Sequence, residues 1–535
     1  MGVQVDEPGS DDESGGVDNP CRIGIGKVSH GHDAVVADGH VSREPRVAGA
    51  VHDASAGDQD VVGTGFGLRR CPWRSGQQED EGEDQRSARD VHGSSLGLWA
   101  RCQGPGGIPG RAYADRPACL TIGGPQPGPA MSAGRQPPGT PGDTRARPMT
   151  PLTCQKSAFS LDPDIHYINC AYLSPLARVV EEAGIEGIRA KCAPSGIGPA
   201  DFFDPCDELR RRFGRLVNAP ADNIAIIPAA SYGVATCARN IAVARGSNIV
   251  LTARQFPGNV HSWRRLARER GAELRVTDAR PGPGCGERWS TRILEAIDTD
   301  TAVVTMGAVH WTNGTLFDID AIGARAREVG AYLIIDGTQS VGAMEFDVAR
   351  IRPDALICSG YKWLMGPYSI GLAYFGPRLL DGVPLEETWI GREGSRDFAG
   401  LAGNYPDSYE PGATRYDVGE RSNFILVPMM NAALELVLEW TPARIAEYCG
   451  NLTAELVERA GEAGFGVEDG PWRAPHLFGL HAPAGLDPRA VSEALAARNV
   501  HVSLRGTALR ISPHVYNDEA DVAALWDALR SVLPS

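Results

Sequence analysis

From about residue 165 onward, short apolar runs alternate with amphipathic stretches. NIAIIP (Asn223–Pro228) precedes a helical pattern over Ser231–Val243, and SNIVLTA (Ser247–Ala253) precedes another over Val260–Gly271. ELRVTD (Glu273–Asp278) reads as a strand, and TAVVTMGAVH (Thr301–His310) leads into a helix over Asp318–Gly330 that Asp318 or Asp320 could cap. AYLIIDG, DALICSG and IGLAYFG then follow in quick succession between Ala331 and Gly376. Runs that are apolar at every position imply strands covered on both faces, and intervening helices imply crossovers. The pattern therefore predicts an α/β fold with a mainly parallel sheet flanked by helices, over residues 165–400. Ligands in such sheets bind beyond the carboxyl ends of the strands. That rule singles out His310 and Asn313, Asp336 and Gln339, and Ser359 and Lys362.

Near Gly400 the pattern changes. A helix over Val427–Glu439 leads to HLFGLHAP, a helix pattern in DPRAVSEALAARNV, the strand pair of HVSLRGTALRISP and a closing amphipathic helix from Asp518. Residues 401–535 are thus expected to form a small C-terminal α+β domain, with a cleft between it and the large one. Residues 1–148 differ from both. They are rich in Gly, Asp, Arg, Ser and Pro, as in RSGQQEDEGEDQRSARD, and cannot bury enough surface to offset the entropy of ordering. A low-complexity, disordered extension is expected there, with Met149 as the true start. GTGFG (Gly63–Gly67) opens no helical pattern and is not read as a dinucleotide loop.

Composition narrows the function. A net charge of −15 over 535 residues argues against a general nucleic-acid binder, which needs a basic stripe. No run of eighteen apolar residues suggests a membrane span, and MGVQVDEPGSDDESGG has neither the basic start nor the apolar core of a signal peptide. The twelve cysteines lack the close spacing of a zinc site, so a cytoplasmic protein with reduced thiols is expected.

The candidate chemistry centres on CSGYKWLMGPYSIG (Cys358–Gly371). Lysine is scarce: Lys27, Lys156 and Lys191 precede Lys362, and none follows it. Its neighbours Tyr361, Trp363 and Leu364 predict a partly desolvated amine, and desolvation makes an amine nucleophilic and suited to Schiff-base chemistry. Asp336 ends an apolar run, where a carboxylate needs a cation, donors or a capping role. Ser231 falls at a strand-to-helix junction that suits either a phosphate or a simple N-cap. A buried carboxylate, a lysine nucleophile, a phosphate cradle and a stacking aromatic together are the parts that hold pyridoxal 5'-phosphate, with the carboxylate keeping the ring nitrogen protonated.

DGTQSVG (Asp336–Gly342), CSGYKWLMGP and LRISPHVYN (Leu509–Asn517) resemble the class V aminotransferase group of fold-type I enzymes. The resemblance spans residues 165–535 and lies closer to the kynureninase and isopenicillin N epimerase branch than to cysteine desulfurases. It implies that Lys362 carries the cofactor and shuttles a proton, and that Asp336 pairs with the pyridinium nitrogen. Gln339 and Asn313 would bond the ring hydroxyl, and Phe256, in QFPGNVHSW, would stack on the ring. Ser231, Tyr232, Ser359 and Tyr361 would form the phosphate cradle. Arg510 would clamp the carboxylate of a small amino-acid substrate, with Arg505 assisting, and a homodimer is implied.

One departure is Gly419-Glu420 in RYDVGERSNF, where relatives carry Gly-Thr with the threonine on a phosphate; no phosphate role passes to Glu420. Cysteine desulfurases place a sulfur-carrying cysteine just before the substrate arginine. Here only Gly506–Leu509 separate Arg505 from Arg510, and the last cysteine is Cys449, which argues against sulfur transfer. Transamination is the expected reaction, with β-elimination, C–S lysis or epimerisation as alternatives. A DNA-binding regulator would need a helix-turn-helix pattern in the first 148 residues, and retention of Lys362, Asp336 and Arg510 speaks against a cofactor-free scaffold.

Overall fold

The computed structural model describes residues 150–403 and 405–533. The expected extension, GTGFG and the proposed start at Met149 lie outside the described residues.

Seven strands form the central sheet: β1 (Ile224–Ile227), β2 (Asn248–Thr252), β3 (Glu273–Thr277), β4 (Thr301–Gly307), β5 (Tyr332–Asp336), β6 (Ala355–Ser359) and β7 (Gly371–Phe375). Their spatial order is β1-β7-β6-β5-β4-β2-β3. All neighbouring pairs are parallel except the two made by β7, which runs antiparallel to β1 and β6. Successive residues of one strand feed opposite cores. Ile226, Val304, Ile335 and Leu356 pack with Trp289, Ile322 and Phe213 on one face. Ile227, Val303, Ile334 and Ile357 pack with Val234, Cys237 and Trp263 on the other. That is why the strands read as continuous apolar runs rather than alternating ones. β3 is the exception, an edge strand whose residues are mostly exposed or half-buried.

The helix Ile319–Val329 shows how local sequence sets its limits. The Asp318 carboxylate accepts the Ala321 N–H, and Gly330 ends the helix at φ 80°. Of the two aspartates considered as the cap, Asp318 fills that position.

A second, three-stranded antiparallel sheet joins Phe478–His481, Ala508–Ile511 and Ser503–Arg505. His166–Tyr167 pairs in parallel with Val500–His501, and Asn169 bridges to Ser512. The opening of the described chain is therefore stitched to its end, because Ile168 is buried among Leu480, Ile511 and Leu525.

A buried ion cluster ties the loop after Pro411 to the sheet. Asp417 accepts from Arg210 and from Arg421 Nη1 at 2.7 Å, and also from the Ile226 N–H at 2.7 Å. Removing the carboxylate strands two buried guanidiniums. Asp417→Ala should therefore lose about 3–5 kcal/mol of stability, measurable by denaturant unfolding with the m-value unchanged.

Candidate active site

Parallel register brings Gly307 opposite Asp336 and Asp336 opposite Ile357, so β4, β5 and β6 end side by side. The loops beyond them line a small cavity bounded by Ala230, Phe256, Trp311, Asp336, Ser359 and Lys362. Gly342, at φ +101°, lets the DGTQSVG loop press on the Trp363 carbonyl with no room for a Cβ, which locks two of the sequence motifs together.

Lys362 is 6% exposed, with its Nζ 5.4 Å from the ring centres of both Phe256 and Tyr361. Burial lowers its pKa to about 8; Asp336 opposes that shift, while Arg510 reinforces it. Asp336 is itself pushed up by burial and held back by hydrogen bonds from Thr338, whose N–H lies 3.0 Å from Oδ1. It caps a local turn rather than a helix, and its carboxylate faces the cavity. A lysine with a pKa near 8 is largely neutral just above that pH. Trapping of an added aldehyde on Lys362, followed with borohydride across a pH series, should rise as pH climbs through about 8 and level off above it. A midpoint near the ordinary lysine value of about 10.4 would show that the amine is fully hydrated.

The other expected residues are placed unequally. Gln339 is no surface turn residue: it is 5% exposed, donates to the Ala171 carbonyl at 3.1 Å and accepts the Trp363 indole N–H at 2.8 Å. One amide N–H of Gln339 remains for a ligand, since an amide nitrogen carries two. Asn313 turns instead to His310, with Oδ1 2.9 Å from Nδ1, and does not line the cavity. His310 is a structural residue; burial lowers its pKa to about 4, so it stays neutral.

Ala229, not Ser231, occupies the cap position of the helix Ala230–Asn240, and no side chain caps it. The first N–H groups are thus free for an anion, with the Ser231 side chain exposed nearby. Tyr232 is half-buried and its hydroxyl lacks a partner. Ser359 and Tyr361 both line the cavity. Glu420 is exposed, and the preceding Gly419 N–H donates to the Glu386 carboxylate at 2.7 Å. This loop therefore presents carboxylates where relatives present a threonine.

Arg510 is 1% exposed and pairs with no carboxylate among the described residues. It donates to the Trp311 carbonyl at 3.0 Å and to Ser503 Oγ at 3.4 Å, and its Nε has no partner. Burial, helped by nearby Arg505, lowers its pKa to about 9. A buried, unpaired guanidinium beside a buried amine is an anion site in waiting.

Three contributors were not singled out from the sequence. Thr338, inside the DGTQSVG motif, holds Asp336 and also accepts the Ser359 N–H at 3.2 Å. Trp311, inside HWTNGT, packs edge-on against Phe256 at 5.4 Å. Cys170 comes from the distant opening segment; it is fully buried, and its thiol is pushed up to about 12 by desolvation. A motif neighbour can be suspected from sequence, but a residue nearly two hundred positions from Lys362 cannot.

The groups present fit pyridoxal phosphate: a carboxylate and an amine without a hydrogen bond line one cavity, and an uncapped helix start adjoins it. A larger apolar groove lined by Gly187, Ala190, Phe424 and Pro428 has no cation in its lining, so the chemistry favours the smaller cavity.

The family described as Aminotransferase class-V matches residues 200–525. An uncharacterized aminotransferase of Bacillus subtilis is 26% identical over 333 residues, 62% of this chain and 84% of that protein. An isopenicillin N epimerase of Streptomyces clavuligerus is 24% identical over 391 residues, 69% of this chain and 95% of that one. Among solved structures, apo cysteine desulfurase from Thermococcus onnurineus superposes with a TM-score of 0.62 at 19% identity, covering 72% of this chain and 99% of that one. A cystine C-S lyase in complex with cysteine persulfide gives a TM-score of 0.60 at 18% identity, covering 70% and 99%. These structures share the fold, the mainly parallel sheet with flanking helices of fold-type I enzymes.

Proposed function

Because the chain belongs to the class V aminotransferase family, whose cofactor is pyridoxal phosphate, we propose that it is an aminotransferase acting on a small amino acid. The carrying observation is Lys362 itself, a buried amine with a pKa of about 8 held between Phe256 and Tyr361 and close enough to Asp336 and Arg510 to feel both charges. When bound, the cofactor supplies an electron sink that lets a bond at the amino acid's α-carbon break.

The chain's own residues then have separate tasks. Lys362 Nζ would be the attachment point for the cofactor and the base positioned to take and return the α-proton. Asp336 would hold a proton on the ring nitrogen, with Thr338 fixing the carboxylate's orientation. Ser359, Tyr361 and the free N–H groups at Ala230 and Ser231 would hold the phosphate, with Tyr232 also toward the cofactor and Phe256 against its ring. Gln339 would offer its remaining N–H to the ring hydroxyl; Asn313, whose Oδ1 faces His310, would have its amide N–H groups left for the same group. Arg510 would receive the α-carboxylate, and Phe256, partly exposed, packs edge-on with Trp311 beside the cavity.

β-Elimination and epimerisation use the same start and are the alternatives. Sulfur transfer has little support: the hairpin between Arg505 and Arg510 carries no cysteine, and Cys170 is buried with a raised pKa. Supplying amino acids with and without a keto acid separates the readings. Transamination should make a new amino acid only when the keto acid is present. Release of ammonia without an acceptor would replace this reading with a lyase.

The reading also takes residues 165–400 as the large cofactor domain and 401–535 as the small one, in a homodimeric, cytoplasmic enzyme. Exposed Val179, Ile185 and Ile188 on the helix Arg178–Cys192 support self-association. Among the described residues, no helix is long and apolar enough to cross a membrane.

A further inference from the structure

The hairpin Ser503–Arg505/Ala508–Ile511 presents two guanidiniums, not one. Ser503 pairs with Arg510 and Arg505 with Ala508 across the ladder. Cross-strand partners share a face, and so do alternate residues, so Arg505 and Arg510 point the same way. Both meet Trp311: Arg510 bonds its carbonyl at 3.0 Å, and the Arg505 guanidinium lies 5.7 Å from its ring. Trp311 in turn touches Phe256, which lies over Lys362. Arg505 is half-buried, its Nη1 donates only to the Leu504 carbonyl, and its Nε is buried without a partner.

Among the described residues, neither arginine forms an ion pair. Elsewhere nearby the chain does pair its cations; Arg254, whose carbonyl accepts the Trp311 indole N–H, is held by Asp278 at 2.6 Å. Two like charges on one face, Arg510 buried and Arg505 half-buried, carry a cost that anions would offset. The α-carboxylate assigned above to Arg510 neutralises one. Asp336 does not serve the other, because it is committed to the ring nitrogen. We infer that Arg505 receives a second anionic group on the substrate, so that the amino acid taken by this site is a diacid. The inference rests on the proposed reading of Arg510 and sets its substrate class.

The holoenzyme tests it directly with matched pairs, L-aspartate against L-asparagine and L-glutamate against L-glutamine. At least one acidic member should exceed its amide in kcat/KM by about tenfold or more, the size expected for a charge-assisted hydrogen bond. Arg505→Met should reduce that ratio to near one. A second arm needs no turnover: succinate should bind the wild-type holoenzyme, by calorimetry, about tenfold more tightly than butyrate, and Arg505→Met should remove the difference. Amides favoured over acids, or a preference that survives in Arg505→Met, would overturn the inference. A protein that captures no cofactor at Lys362 would instead overturn the underlying reading, and the succinate comparison, repeated on that cofactor-free protein, would still judge Arg505.

Discussion

Lys362→Ala should lower turnover by about 10³-fold or more while leaving a folded protein, because one side chain both anchors the cofactor and moves the proton. Borohydride treatment of the wild type, followed by peptide mapping, should place the cofactor's mass on Lys362. The same treatment of Lys362→Ala should fix nothing. The fold should tolerate the change: the amine is buried, and its lowered pKa shows that the surroundings disfavour its charge. Truncation removes that desolvated charge and leaves the rings of Phe256 and Tyr361 in place. A variant that retained a reducible covalent adduct and near-normal turnover would mean that another group does the chemistry.

Arg510→Met should separate function from stability in the opposite directions. Two charge-assisted hydrogen bonds to a substrate carboxylate would be lost, so kcat/KM should fall by about 10²-fold or more, mostly through KM. Cofactor content should stay close to wild type, since Arg510 lies against Trp311 and Ser503 rather than in the phosphate cradle. The ligand-free protein should melt about 2 °C higher, because a buried guanidinium with an unpartnered Nε is replaced by an apolar side chain of similar length. Equal loss of cofactor and substrate binding, or a large fall in melting temperature, would make Arg510 a structural residue.

The two variants probe different layers of what could be read in advance. The strand and helix order was legible because each strand of the parallel sheet is buried on both faces, and an unbroken apolar run records that directly. The aspartate at the end of β5 and the lysine after β6 were legible for a related reason: a charge that follows an apolar run needs a purpose. Ser231 illustrates the limit of such reasoning. Phosphate binding and capping suit the same residue type at the same spot, and only the structure shows the cap position at Ala229 with no side-chain bond. Asn313 shows another limit, since an amide's partner depends on which loop reaches it first, and here His310 does.

The sequence by itself determined the alternating architecture and singled out the candidate lysine and the carboxylate that lines the same cavity, because those are written in local burial pattern and residue type. Only the tertiary structure decided that Cys170 and Tyr167 lie near the site, that Gln339 is tethered at both ends of its amide, and that two arginines share one face without an acidic partner. The placements of Cys170, Tyr167 and Gln339 arise from contacts between segments far apart in the chain, and the arginines, though neighbours in one hairpin, lack an acidic partner because of what packs around it. Such contacts are set by how the opening strand and the last hairpin pack together, and no short window of sequence carries that information.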